Sequence, residues 1–273
     1  MATVDENLRV WNDVYDWSHS GDEWSADFGG TEALWFFVLY PRIHRFLPAG
    51  VILEIAPGYG RWTQFLKDKC RSMIAVDLSE RCVEHCKERF VSSPHVQFQV
   101  NDGVSLESVP DSSVDFVFSF DSLVHAEKDV IQAYLLEIAR KLTRDGVGFI
   151  HHSNIGHYSA RLRLFDWYSK LPGVVRRHVL TKERLSTLLS INLQAGRAKS
   201  MKAVLFRRYC QEAGLKCISQ ELINWTRGGC LIDTLSVFTR PDSRWDDGFS
   251  FLHNGDFITG ARLTSRLSGL YCS

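Results

Sequence analysis

Val51-Ile-Leu-Glu-Ile-Ala-Pro-Gly-Tyr-Gly60, continuing as Arg61-Trp-Thr-Gln-Phe-Leu66, is the stretch that decides the fold of this chain. An apolar run ends at a carboxylate, and a glycine turn then opens into a pattern with helical spacing. Glycine carries no Cβ, so its backbone can bend sharply and lie close to a ligand. In open α/β sheets that geometry holds a nucleotide-type cofactor at the carboxyl end of the first parallel strand. A second apolar run, Met73-Ile-Ala-Val76, ends in Asp77, an acid placed to hold two ribose hydroxyls. Together the two runs predict a nucleoside cofactor.

Outward from this stretch the chain alternates between strand-like and helix-like segments. Val51–Ala56 reads as a buried strand and Arg61–Cys70 as a helix; Ser72–Asp77 is the next strand. Ser79 is an N-cap for a helix through Phe90. Val96–Val100 and Val114–Ser119 are further strands, and Val130, Tyr134 and Ile138, with Ile131, Leu135 and Leu142, repeat at helical spacing behind them. Asp145-Gly-Val-Gly-Phe-Ile150 turns into a fifth strand. After Asn154 the rhythm changes, with helix-like pieces over 155–198, broken at Leu171-Pro-Gly173 and restarting at Thr181-Lys-Glu-Arg184. Ser200–Ala213 reads as a helix stopped by Gly214. Lys216–Asn224 and Leu231–Thr239 form a closing antiparallel pair around Trp225-Thr-Arg-Gly-Gly229.

The fold class is therefore α/β: a Rossmann-like, doubly wound, mostly parallel seven-stranded sheet with an antiparallel last strand, a helical insertion and an N-terminal cap. The expected organisation is an aromatic and acidic arm over 1–50, a catalytic domain over 51–240 and a tail over 241–273.

Composition narrows the function classes. The chain has 273 residues, 45% of them hydrophobic, which is enough for one substantial core. Its charge is balanced, giving no bulk electrostatic argument for DNA or a membrane surface. No apolar run approaches the roughly 20 residues of a spanning helix, and the start lacks the pattern of a secretion signal. The seven cysteines form no Cys-x-x-Cys pair and are expected to be structural thiols in a reducing, cytoplasmic setting. Charge is unevenly placed: residues 1–32 are acidic and 155–210 strongly basic. The basic stretch is read as a solvated helical surface partly matched by the arm, the other reading being attraction of an anionic acceptor or partner.

The spacing of the strand ends selects the cofactor. A dinucleotide enzyme wants Gly-x-Gly-x-x-Gly to cradle a pyrophosphate on a helix N-terminus. Here Ala56 stands in the leading place and Thr63 in the last, which favours a sulfonium cofactor, S-adenosylmethionine, over NAD. Glu54 would serve its ammonium group directly or through water, and Ala56, Gly58 and Gly60 would lie along its methionine part. Asp77 would hold the ribose. Leu78 and Val104 would pack on the adenine, with Asn101-Asp102-Gly103 at its rim and Asp102 near its amino group. Ser119-Phe120-Asp121 would lie beside the reactive methyl.

Residues 51–154 resemble class I S-adenosylmethionine-dependent methyltransferases, with Glu54–Gly60 as the first motif and Asp77 ending the second; Ala56-Pro57 departs from the usual glycine of that motif. A longer signature is similar to bacterial methyltransferases of sugars and glycans, including the mycobacterial sugar O-methyltransferases of methylmannose polysaccharide synthesis. It comprises Trp17-Ser-His-Ser-Gly-Asp-Glu-Trp24, Pro41-Arg-Ile-His-Arg-Phe-Leu-Pro48, Phe118-Ser-Phe-Asp-Ser-Leu-Val-His125 and Phe149-Ile-His-His-Ser-Asn154. The resemblance implies methyl transfer to a hydroxyl of a saccharide or oligosaccharide.

A sugar hydroxyl is a weak nucleophile, so a nearby base or metal helps its attack. Asp121, His125, His151 and His152 fall at the ends of the fourth and fifth strands. Alternation along a strand lets only one of the paired histidines face the pocket. His152 is the expected one, with His125 as the alternative base. If Mg²⁺ takes part, Asp121 is the expected ligand, followed by Glu127 and Asn154. Trp11, Tyr15, Trp17, Trp24 and Trp35, with Glu23 and Glu32, suit sugar stacking or a cap over the cofactor. The alternatives are a small hydroxylated metabolite or lipid as acceptor, an RNA-binding relative, or a non-catalytic cofactor-binding protein. The aromatic arm and the tail also lead to an expected homodimer.

Overall fold

The computed structural model describes residues 3–171, 196–225 and 229–270. Most of the expected helical insertion, including the restart at 181–184, and residues 226–228 of the expected hairpin connection lie outside the described residues. Eight strands form one sheet: β1 (Ala49–Ile55), β2 (Cys70–Asp77), β3 (Val96–Val100), β4 (Val114–Ser119), β5 (Leu142–Ser153), β6 (Lys216–Ile223), β7 (Asp233–Thr239) and β8 (Ser250–Asn254). Their spatial order is β3-β2-β1-β4-β5-β7-β6-β8. The first five strands run parallel, whereas β7 pairs antiparallel with both β5 and β6.

Burial on both faces explains the apolar runs. In β1, Ile52 belongs to one core layer with Trp35, Leu39, Trp62, Phe116, Phe118 and Phe149. Leu53 and Ile55 belong to the other, with Val117, Leu135, Ile138, Ile150 and Phe206. Parallel strands covered on both sides have this continuous hydrophobic character. The helix Glu80–Arg89 starts at Ser79, whose hydroxyl accepts the Cys82 N–H at 3.2 Å, and it buries Cys82, Val83 and Cys86. Lys87 and Arg89 lie in its last turn, where cations complement the helix dipole. The helix Lys128–Lys141 buries Ile131, Tyr134, Leu135 and Ile138, a single stripe at helical spacing.

Two local readings are corrected. The segment after the glycine turn is only a short helix, Thr63–Leu66, followed by a tight turn, and β2 already begins at Cys70. The tail supplies an eighth strand, β8, which pairs parallel with β6, followed by the helix Phe257–Gly269. Phe249-Ser-Phe-Leu-His253 shows little polar alternation, which hid it as a strand; β8 is the outermost strand and its first four residues are exposed. No helix among the described residues is long and apolar enough to cross a membrane.

Candidate active site

The carboxyl ends of β1, β2 and β4 open into a cavity of about 960 Å³, counting its mouth. That is the size range of sites for small molecules and cofactors. Its floor is the glycine turn. Ala56 has φ +58°, a conformation that costs a non-glycine residue about 1 kcal/mol or more, and its N–H is held by the Val76 carbonyl at 2.8 Å. Gly58 is also left-handed. A Cβ there would lie 2.8 Å from the Trp17 ring, and one at Gly60 would lie 2.4 Å from Phe90. Both positions thus require glycine for space as well as for φ.

Asp77 accepts the Gly58 N–H at 3.0 Å and the Ser79 N–H at 2.9 Å. Burial nevertheless pushes its carboxyl up to about 6, against those hydrogen bonds. Glu54 sits behind the turn and does not line the cavity. Its Oε2 accepts from the Thr63 hydroxyl at 2.6 Å, while its Oε1 is buried with no partner. Burial pushes this carboxyl up to about 8.

The far wall is apolar, formed by Leu78, Gly103, Val4, Val130 and Tyr134. Several expected rim residues do other work. Asn101 donates to the Ser105 carbonyl at 3.0 Å and to the Tyr134 hydroxyl at 2.9 Å. Asp102 is exposed and caps its own turn, accepting the Val104 and Ser105 N–H groups. Ser119 is buried and donates to the Ile55 carbonyl at 2.9 Å. Ala56, Gly58, Asp77, Leu78, Gly103 and Phe120 line the cavity; Glu54, Gly60, Asn101, Asp102 and Ser119 support it from behind or lie outside.

The N-terminal arm lies over the cavity. Trp11, Trp17 and Trp24 line it, and Trp17 stacks on Tyr59 with ring centroids 4.5 Å apart and 9° between planes. Asn12 fastens the arm to the rim by accepting from the Ser79 hydroxyl at 2.9 Å. Tyr15 donates to Glu23. That bond and, more strongly, burial raise the Tyr15 phenol above its usual range.

From the glycine turn toward β5 and β7 runs a chain of buried charges that the sequence did not reveal; Arg61 and Asp121 line the cavity, and Arg197 and Asp233 lie behind them. Arg61 donates from Nη2 to Asp121 Oδ2 at 2.9 Å, and its guanidinium lies over the Trp24 and Trp62 rings. Arg197 Nη2 is 3.7 Å from Asp121 Oδ1 and 2.9 Å from Asp233 Oδ2. The Arg61, Asp121, Arg197 and Asp233 side chains are at most 7% exposed. Burial acts to raise the Asp233 carboxyl, but Arg197 and His151 hold it down at about 2.

The paired histidines take the opposite assignment from the expected one. His151 faces this network: its Nδ1 accepts the Asp121 N–H at 3.2 Å, and its Nε2 lies 3.3 Å from Asp233 without an aligned hydrogen bond. His152 points into the other core layer, stacks on Phe206 at 4.2 Å and bonds to Ser236 at 2.8 Å. Burial drives it down to about 3, so it is neutral and out of reach of the cavity. The strand register held the signal. Phe118 pairs with Phe149, so Phe120 comes beside His151, and their rings are 4.7 Å apart.

His125 does line the cavity. Its Nδ1 is 2.9 Å from the Gly196 carbonyl, which can only accept, so Nδ1 carries the proton and Nε2 is the basic nitrogen. Burial, with the charge of Arg197, holds its titration below the ordinary histidine value. The metal expectation finds no geometric support: no cluster of three or more His, Cys, Asp or Glu able to hold an ion occurs among the described residues. Asp121 is engaged by arginines instead. Glu127 accepts from Ser200, and the Asn154 amide bonds to Leu231 and Ala203.

Residues 52–146, which carry the glycine turn, Asp77 and Asp121, match a family model described as a methyltransferase domain. The chain carries a methyltransferase domain. No match was found among curated proteins. Among solved structures, a SAM-dependent methyltransferase from Leishmania major is 12% identical, covers 86% of this chain and 82% of its own, and superposes with a TM-score of 0.56. The PH0226 protein of Pyrococcus horikoshii gives 18%, 85%, 95% and 0.53 for the same quantities. A S-adenosylmethionine-dependent methyltransferase from Clostridium acetobutylicum gives 15%, 77%, 92% and 0.52. At these identities the likeness establishes the fold.

Class I domains of this kind take their methyl group from S-adenosylmethionine, and this methyltransferase has a cavity that fits it. Ala56 and Gly58 line it with left-handed backbone, Asp77 stands at the β2 end, and one oxygen of buried Glu54 behind the turn lacks a partner.

Proposed function

We propose that this methyltransferase transfers a methyl group from S-adenosylmethionine to a hydroxyl of a saccharide. The observation that carries the reading is the placement, in one cavity with the glycine turn, of His125 and the buried Asp121 carboxylate beside the indole rings of Trp11, Trp17 and Trp24. S-adenosylmethionine supplies an electrophilic methyl carbon when bound. Asp77 would hold its ribose and Leu78 would flank its adenine. Glu54 would balance the ammonium charge through a water.

His125 is the candidate base. Its Nε2 lone pair would take the proton that the acceptor hydroxyl loses as the new C–O bond forms. A depressed titration keeps the ring neutral at neutral pH, as a general base requires. Asp121, held by Arg61, would accept a hydrogen bond from the acceptor and orient it; much of the rate gain would come from such positioning. Trp11, Trp17 and Trp24 offer flat apolar faces beside these polar groups, the combination that a sugar ring presents in reverse, and they shield the site from water.

The test is transfer of labelled methyl groups to a panel of mannosides and other saccharides, with and without EDTA. A labelled sugar ether formed equally well with EDTA supports the reading. His125→Gln then lowers kcat by about 100-fold or more, while His152→Gln leaves kcat per folded molecule unchanged. Label appearing only in lipid or small hydroxylated metabolites, with S-adenosylhomocysteine still bound tightly, replaces the saccharide with that acceptor.

A further inference from the structure

Three consecutive residues, Gly196, Arg197 and Ala198, touch both candidate groups of the acceptor end from outside the matched domain. The Gly196 carbonyl accepts from His125 Nδ1 at 2.9 Å. The Ala198 N–H donates to the Val124 carbonyl at 2.9 Å, and the Ala198 carbonyl accepts from the Ser153 hydroxyl at 2.8 Å. Between them, the Arg197 side chain reaches Asp121 on one side and Asp233 on the other. We propose that this tripeptide is the buckle of the acceptor end, and that Arg197 is its positioning residue, fixing the Asp121 carboxylate while the Gly196 carbonyl fixes the tautomer of His125.

The chemistry supports each part. A ring nitrogen beside a carbonyl must donate, so Gly196 leaves the other nitrogen of His125 free to act as a base. Arg197 presents a planar fork that keeps its charge at any working pH. Asp233 takes that fork through both Nε, at 3.1 Å, and Nη2, at 2.9 Å, and is itself fully buried. The guanidinium is therefore fixed from behind before it meets Asp121. His151 completes the frame by accepting the Asp121 N–H, which pins a residue at φ +63°. Asp121 is thus held at its backbone by one residue and at its carboxylate by two arginines.

The proposal rests on placing His125 and Asp121 at the acceptor end, but its test needs no acceptor. Histidine-ring ¹⁵N NMR on the full chain reads the tautomer and titration of His125 directly. The charges that face His125 are Arg197, which lowers its titration, and Asp121 and Asp233, which raise it. In the unaltered protein His125 is expected as the Nδ1–H tautomer. Arg197→Met moves its titration upward, Asp233→Asn moves it downward, and Arg197→Lys, which keeps the charge, leaves it nearly in place. S-adenosylhomocysteine binding, retained in all three, reports that the cavity is still folded.

Opposite shifts of this kind separate positioning from a general loss of structure. An Nε2–H tautomer in the unaltered protein, unshifted titrations, or shifts of the same sign in Arg197→Met and Asp233→Asn overturn the proposal. Should Arg197→Met fail to fold, the Asp233→Asn shift alone decides: downward supports it, and no shift or an upward one overturns it. Failure of every saccharide in the transfer assay, with these shifts present, would sink the acceptor reading and leave the buckle standing.

Discussion

The two ends of the sheet's carboxyl edge, around β1 and β2 and around β4, β5 and β7, handle buried polarity in opposite ways. At the glycine turn, Glu54 and Asp77 are buried without a cation in direct contact, and burial raises both carboxyls. One Glu54 oxygen has no partner at all. At the other end, Asp121 and Asp233 are just as deep, yet each is met by an arginine. An unpartnered buried carboxyl costs free energy until something positive arrives, whereas a paired one is already satisfied and resists rearrangement. The first end thus keeps its carboxyls without a counter-charge, and the second has each of its carboxylates paired.

The largest effect should come from breaking the rigid end. Asp121→Asn keeps the left-handed backbone, which asparagine tolerates, but removes the counter-charge of Arg61 and half of that of Arg197. Urea denaturation should show a loss of about 3–5 kcal/mol, the usual cost of stranding one partner of a buried pair. A loss below about 1 kcal/mol would mean that the charges there are better hydrated than the geometry indicates.

The glycine-turn end should respond to pH instead. The Glu54 carboxyl, near 8 when folded against 4.5 in the open chain, makes the folded state hold a proton that the unfolded state has lost. Stability should then fall by a few kcal/mol as pH rises from about 4.5 to about 8. Glu54→Gln should flatten most of that slope; the part due to Asp77, near 6, would remain. Saturating S-adenosylmethionine, a cation at its sulfur, should flatten it in the unaltered protein. Denaturation at pH 5 and pH 8 measures all three cases.

The smallest effect sharpens the boundary of that end. Asp102→Ala removes a carboxylate that caps an exposed turn, so stability should fall by only about 0.5–1 kcal/mol. S-adenosylhomocysteine affinity, read by calorimetry, should not move. A tenfold weakening would return Asp102 to the adenine rim where the sequence first placed it.

The glycine-turn end was legible as a structural unit because its parts are local. Glu54, Gly58 and Gly60 lie within one turn, and Asp77 ends the adjacent strand, so strand pattern and glycine chemistry suffice to assemble them. The same locality gave β3 and β4 with their bounds. The buried charge chain is assembled by topology. Asp121, His151, Arg197 and Asp233 are tens of residues apart in sequence and meet because β4, β5 and β7 are neighbours. No spacing motif announces an arginine that returns from beyond an insertion. The choice of His152 over His151 failed for a narrower reason. Alternation says that adjacent residues face opposite ways, but only the register of β5 against β4 says which way is in.

Four of the chain's eight tryptophans, Trp11, Trp17, Trp24 and Trp62, form part of the cavity wall, and Trp17 lies flat on Tyr59. Half of the molecule's indole chromophores therefore change surroundings when the cavity fills, against a background of only Trp35, Trp167, Trp225 and Trp245. The protein carries its own optical gauge of occupancy, and its ultraviolet emission can follow ligand arrival without any attached dye.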